Sequence, residues 1–189
     1  PRTPNTREWI RALSVRPALA SRSDVLIRFV MGKRGLSDAD RRQLKGEHQL
    51  NRDIAFVDAS DFADKGGIFS CIDKLFAWFR YAPVAYPGAT FYAKADDDSL
   101  VDVPRLVALM APAAREPNVY LGYVQYDSFI PSQWKHCGWS ATPSGAVFGR
   151  EHGCPREAYG PFPFVVGAMT AMGADLAQWF AASEDIVSL

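Results

Sequence analysis

The sequence carries no excess of either charge. Lysine and arginine together number 21, aspartate and glutamate together 21, and the formal net charge is zero. Such a balance leaves no basic footprint for nucleic acid and no polybasic patch for a lipid surface. No apolar run approaches the length of a membrane span, and no secretory signal stands at the start. The chain opens at Pro1 rather than Met and reads as part of a longer protein, so any targeting segment is expected upstream. Internal repeats and low-complexity tracts are absent. Cysteine is scarce: Cys71, Cys137 and Cys154 form an odd set whose spacing matches no zinc site. Cys71 lies in an apolar helical pattern and reads as a buried thiol. Cys137 and Cys154 flank a Gly-rich segment and can either pair in an oxidising compartment or remain free. His136 and His152 lack paired spacing and read as surface or hydrogen-bonding residues.

What is present suits one soluble domain. Hydrophobic residues make up 48% of the 189 positions and charged residues 22%, enough to build a core and too apolar for a disordered chain. The pattern predicts a helix over Thr6–Leu19, capped by Thr6, with Trp9, Ile10 and Leu13 on one stripe. A strand is expected over Val25–Val30, then a polar helix from Ser37, with Asp40 completing its cap, to about Gln49. A second strand covers Ile54–Val57. Ile68 to Tyr81 places Ile68, Ile72, Leu75, Phe76 and Phe79 on one helical face, and Pro83 is expected to end it. A third strand, Phe91–Ala95, precedes a helix from Pro104 to about Met110 capped by Asp102. A fourth strand covers Val119–Val124. From Tyr126 to Pro163, Gly, Pro, Ser and aromatics predict loops with a short strand near Ala146–Phe148. Phe164–Thr170 is apolar and compact, and Gly173–Ala182 closes the chain as a helix. Strands alternating with helices argue for an α/β fold: an open, mostly parallel sheet with helices on both faces.

The feature richest in chemistry is Asp96-Asp97-Asp98, three consecutive acids directly after the third strand. Like charges side by side require water or a cation. In open α/β sheets, ligands bind beyond the carboxyl ends of the strands, which is where these acids fall. Carboxylates suit hard ions such as Mg²⁺ and Mn²⁺, and those ions bind phosphates in turn. The triplet therefore points to a metal-dependent enzyme acting on a nucleotide diphosphate. Its plainer reading is a solvated turn ahead of the Pro104 helix.

Lys94-Ala95-Asp96-Asp97-Asp98 resembles the K-x-D-D-D motif of the β-1,3-glycosyltransferases of family 31, which include β-1,3-galactosyltransferases and N-acetylglucosaminyltransferases. Further blocks follow the family's order. Arg7-Glu8-Trp9-Ile10-Arg11 is similar to R-x-x-I-R, and Phe29-Val30-Met31-Gly32 to F-L-L-G. Glu47, Asp53-Ile54 and Asp61-Phe62 resemble E…D-I…D-F, and Tyr159 to Gly167 resembles Y-P-x-Y…G-x-G-Y-V. Lys74 aligns with the lysine of an N-L-T-x-K block, although Gly66-Gly67-Ile68-Phe69 stands where that block begins.

The resemblance implies a GT-A-type nucleotide-sugar-binding fold and a single catalytic domain over residues 1–189, cut short at its C-terminal end. It implies Mn²⁺ or Mg²⁺ as cofactor and a UDP-sugar as donor. The reaction it implies is inverting transfer of a hexose, galactose or an N-acetylhexosamine, to a hydroxyl of a glycan or glycoprotein acceptor in β-1,3 linkage. It also implies a Golgi-lumenal, type II membrane protein held by an N-terminal anchor that this chain does not include. Asp98 and Asp96 are then the expected metal ligands. Asp96, Asp97, Lys94, Arg7 and Arg11 are the expected donor-binding residues.

The family takes its general base from an E-D-V motif, which Glu184-Asp185-Ile186 resembles; Asp185 is the expected base. Two readings stand there: the base motif itself, or a polar helix end with the motif lying past Leu189. Arg7 and Arg11 likewise suit either a phosphate or the surface of an amphipathic helix. Trp134, Trp139, Tyr123, Tyr126 and Phe129 suit either a sugar platform or a loop-rich core. The competing functions are another metal-dependent sugar transferase with a related acidic motif, an inactive relative that binds a nucleotide sugar or glycan, and a structural domain whose acids bind nothing.

Overall fold

A computed structural model describes residues 4–61, 69–130 and 156–184, with the backbone alone at positions 4, 69–72 and 129. The chain opens with helix α1 (Pro4–Ile10), a π-helical stretch (Arg11–Val15) and helix α2 (Arg16–Ser21). Helicity thus begins two residues before Thr6, which lies in the first turn rather than capping it. Strand β1 spans Phe29–Arg34, four residues later than the apolar run suggests. Its pairing sets the start: Phe29 N–H donates to the Asp53 carbonyl at 2.7 Å, and Phe29 lies opposite Ile54, the first residue of β2 (Ile54–Ser60). Residues 25–28 precede any partner, and Leu26 is exposed.

Between these parallel strands runs helix α3 (Asp38–Asn51). Ser37 and Asp40 form the expected reciprocal cap: the Ser37 hydroxyl accepts from Asp40 N–H at 3.2 Å, and the Asp40 carboxylate accepts from Ser37 N–H at 3.2 Å. The helix ends on Arg52 in the left-handed conformation (φ 54°). Helix α4 (Phe69–Ala85) continues two residues past Pro83. Ile68, the first residue of the predicted apolar face, lies outside the described residues, as do the side chains of Ile72 and Cys71. Strand β3 spans Phe91–Ala95, as expected. Asp102 caps helix α5 (Val103–Met110) by accepting from Arg105 N–H at 3.1 Å, and a 3₁₀ turn (Ala111–Arg115) follows. Strand β4 covers Tyr120–Phe129, strand β5 Tyr159–Gly173 and helix α6 Ala174–Ala182.

The fold is α/β, and its sheet structure is only partly parallel. β1 and β2 form a parallel pair, while β3, β5 and β4 form an antiparallel sheet in that order. The expectation of a mostly parallel sheet rested on the helix between successive strands. β5 follows no such rule, because it enters between β3 and β4 and runs against both. The predicted strand near Ala146–Phe148 lies outside the described residues.

Among the described residues two apolar cores result. Val15, Phe29, Met31, Leu44 and Ile54 join the N-terminal helices to β1, β2 and α3. Phe79, Ala82, Tyr92 and Ala177 join α4, β3 and α6. Helix α4 packs on β1 and β2 as well as on β3 and α6, and so ties the two sheets together.

Candidate active site at the end of strand β3

The acids follow β3 without a break. Asp96 N–H donates to the Ala168 carbonyl at 2.9 Å, extending the β3–β5 ladder by one bond. Ser99 N–H then donates to the Asp96 carbonyl at 3.2 Å and closes a turn. The turn places the Asp97 and Asp98 side chains at the exposed surface and leaves Asp96 half-buried. Lys94 compensates part of the charge. Its ammonium donates to the Asp96 carboxylate and to the Gly167 carbonyl across the sheet. One cation thereby orients the first acid and pins it to β5. A short, charge-assisted contact of this kind holds a side chain well.

A second ionic group converges on the same end. Asp61, directly after β2, accepts from Lys74 Nζ at 2.5 Å and from the Gly32 N–H at 2.5 Å. Lys74 lies in the first turns of α4. Burial pushes the Asp97 carboxyl upward, and the charge of Lys74 acts on it in the opposite sense. The ends of β2 and β3 and the start of α4 therefore share one electrostatic neighbourhood.

Gly32 of β1 allows the close approach of β2 that brings Asp61 onto its N–H. A Cβ there would sit 2.4 Å from the Ala59 carbonyl oxygen and 2.9 Å from the Asp61 nitrogen. No side chain fits at that distance, so the two strand ends approach only through glycine.

Arg7 and Arg11 are not at this site. They are 2% and 3% exposed and form a buried network instead. Arg7 Nε donates to Glu47 at 2.7 Å, and Arg11 Nη2 donates to the same carboxylate at 2.6 Å. Arg11 also forks onto Asp53, with Nε–Oδ2 2.7 Å and Nη2–Oδ1 2.9 Å, and lies over the Phe29 ring. Both the donor-phosphate role and the surface role are corrected by this geometry, because the guanidiniums face inward onto carboxylates. Bonding and burial act together on the network. The bond to Asp53 pushes the Arg11 guanidinium above its usual range, and the bond to Arg7 pulls the Glu47 carboxyl below its own.

Tyr123 and Tyr126 lie exposed on β4. Trp134, Trp139, His136, His152, Cys137, Cys154 and the expected base Asp185 lie outside the described residues, and nothing of the Phe129 side chain is described. Among the described residues no three His, Cys, Asp or Glu side chains converge as metal ligands. The donor set that is present, exposed carboxylates on one turn, suits a small hard ion that takes one or two carboxylates and completes its shell with water and phosphate oxygens.

The α/β domain thus carries acids beyond a strand end, one of them held by a lysine. The family model described as galactosyltransferase matches residues 5–187, and the chain belongs to that family. It is accordingly a glycosyltransferase, working between a sugar donor and a glycan acceptor. No curated protein matches the chain closely enough to count as a relative.

Proposed function

We propose that this protein catalyses metal-dependent, inverting transfer of galactose or an N-acetylhexosamine from a UDP-sugar to a glycan hydroxyl, forming a β-1,3 linkage. The observation that carries this reading is the placement of Asp96-Asp97-Asp98 directly beyond β3, with Asp96 oriented by Lys94. Asp98 and the remaining oxygen of Asp96 would hold Mn²⁺ or Mg²⁺. When bound, such an ion offsets the negative charge that builds on a diphosphate leaving group. Asp97 is exposed and accepts hydrogen bonds from hydroxyls, which suits the sugar or ribose of the donor. Lys94 holds Asp96 rather than the donor itself.

Inversion needs a base on the face opposite the leaving group. The acceptor oxygen bonds to the anomeric carbon as the bond from that carbon to the diphosphate oxygen breaks. The hydroxyl proton passes to a carboxylate, the role we assign to Asp185. The family resemblance further supports a type II membrane protein of the Golgi lumen as the parent chain.

Calorimetry of UDP binding tests the donor site. UDP is expected to bind with Mn²⁺ present and not without it, and Asp98→Ala is expected to weaken binding by about tenfold or more, as lost metal-site interactions do. Metal-independent binding, or an Asp98→Ala variant with unchanged affinity, would overturn the reading. Product analysis with UDP-galactose and UDP-N-acetylglucosamine then identifies sugar and linkage.

A further inference from the structure

A second site lies away from the acids. An open cleft of about 850 Å³ is lined by Arg28, Lys33, His48, Arg52, Tyr81 and Tyr86, with no acid among its lining residues. It adjoins the residues that lead into β1 and β2 and the far end of α4. Lys74, beside the acid triplet, and Tyr81 are seven residues apart on that helix, about 10 Å at 1.5 Å per residue. The two sites thus occupy different ends of α4.

Among the described residues neither Arg28, Lys33 nor Arg52 has a carboxylate partner, and Arg28 donates only to the Ile27 carbonyl, at 2.9 Å. His48 Nδ1 is buried without a hydrogen-bond partner among the described residues. Arg52 adds a conformational observation. It occupies the left-handed position that ends α3 (φ 54°, ψ 28°), where glycine is the usual residue. A side chain is strained there, and a strained residue points to a use for its side chain.

The aromatic wall narrows the ligand class. Tyr81 and Tyr86 meet edge to face at 85°, their centroids 6.2 Å apart. Rings at a right angle make a corner rather than the parallel slot that clasps a flat base. A corner suits a puckered ring with apolar C–H faces, and the cleft volume falls in the range that holds such ligands rather than a lone inorganic ion. We propose that this cleft is an accessory binding site for an anionic saccharide, one bearing sulfate or carboxylate groups, held by Arg28, Lys33 and Arg52 with its rings against Tyr81 and Tyr86. The site takes its ligand without metal or nucleotide, so it stands apart from the donor chemistry proposed above.

The test is calorimetry in metal-free buffer with four probes: a chondroitin 4-sulfate tetrasaccharide, a hyaluronan tetrasaccharide, neutral chitotetraose and UMP. At least one anionic tetrasaccharide is expected to bind, more weakly as salt rises, while chitotetraose and UMP do not. Binding of the sulfated probe alone identifies sulfate as the recognised group; binding of hyaluronan as well shows that carboxylate suffices. Arg52→Gly removes the charge and relieves the strained backbone, so it is expected to fold as well as the parent and to bind about tenfold more weakly, as does Lys33→Gln. Asp98→Ala is expected to bind unchanged. Four results would overturn the proposal: no binding of either anionic probe, equal binding of chitotetraose, full affinity in both charge variants, or UMP binding that Arg52→Gly abolishes. Loss of saccharide binding in Asp98→Ala would do so too, by moving the site to the acid turn.

Discussion

Glu47→Gln tests the reading of the N-terminal arginines most directly. Glu47 accepts from Arg7 Nε at 2.7 Å, from Arg7 Nη2, and from Arg11 Nη2 at 2.6 Å, with its side chain 11% exposed. The amide keeps the shape, removes the charge and turns one acceptor oxygen into a donor facing a guanidinium. Removing one partner of a buried ion pair costs about 3–5 kcal/mol, because a charge stays behind in a poor solvent for it. Arg11 retains its fork onto Asp53, so the lower end applies, about 3 kcal/mol. For a chain of this length that is a fall in Tm of about 6–12 °C. Urea denaturation, with an unchanged m-value, gives the free energy, and a thermal melt gives the shift. UDP affinity, measured well below the melt, is expected to be unaffected. A loss under about 1 kcal/mol, the range of an exposed pair, would refute the burial argument. So would an intact fold with weakened UDP binding, which would return the arginines to the donor.

Two further outcomes follow from the same geometry. Glu47 has its folded pKa lowered, chiefly by the Arg7 bond, so its contribution to stability is present above the unfolded carboxyl pKa of about 4.3 and is lost as pH falls through the lower folded value. Denaturation midpoints are expected to drop below about pH 4.3 in the parent and to drop less steeply in Glu47→Gln; parallel curves would count against the assignment. Gly32→Ala drives a methyl onto the Ala59 carbonyl and is expected to destabilise by about 3 kcal/mol or more by urea titration; a neutral substitution would show that the strand ends separate easily.

Local chemistry was the legible part of this sequence. The Ser37–Asp40 cap, the Asp102 cap and strand β3 with its acids depend on neighbours within a few residues, and the structure has them where the pattern puts them. Long-range partners were not legible. Arg7 and Arg11 gave no sign of facing inward, because Glu47 and Asp53 lie some forty residues on. A hint was nevertheless present: the arginines stand in one family-like block, and Glu47 and Asp53 stand in another. The start of β1 was misplaced because hydrophobicity marks apolar residues, whereas a strand begins where its partner begins.

Strand β5 was hidden by Pro161 and Pro163, which read as loop. The pairing explains their tolerance. Among the described residues, β3 pairs with β5 over Met169–Gly173, and the prolines lie in the half that pairs with β4, with no described ladder on the other edge. The cationic cleft left no trace in the sequence, since Arg28, Lys33, Arg52 and the two tyrosines come together only through the packing of α3 and α4 around β1 and β2.

The hydrogen-only space at Gly32 also limits how the chain can change length. The Ala59 carbonyl and the Asp61 backbone fill the place a side chain would take. An insertion between Val57 and Asp61 would move both and with them the carboxylate that holds Lys74. Between Arg22 and Arg28 no strand pairing holds the backbone, and Leu26 already lies in solvent. A loop graft or a label therefore belongs before Phe29, not after Val57.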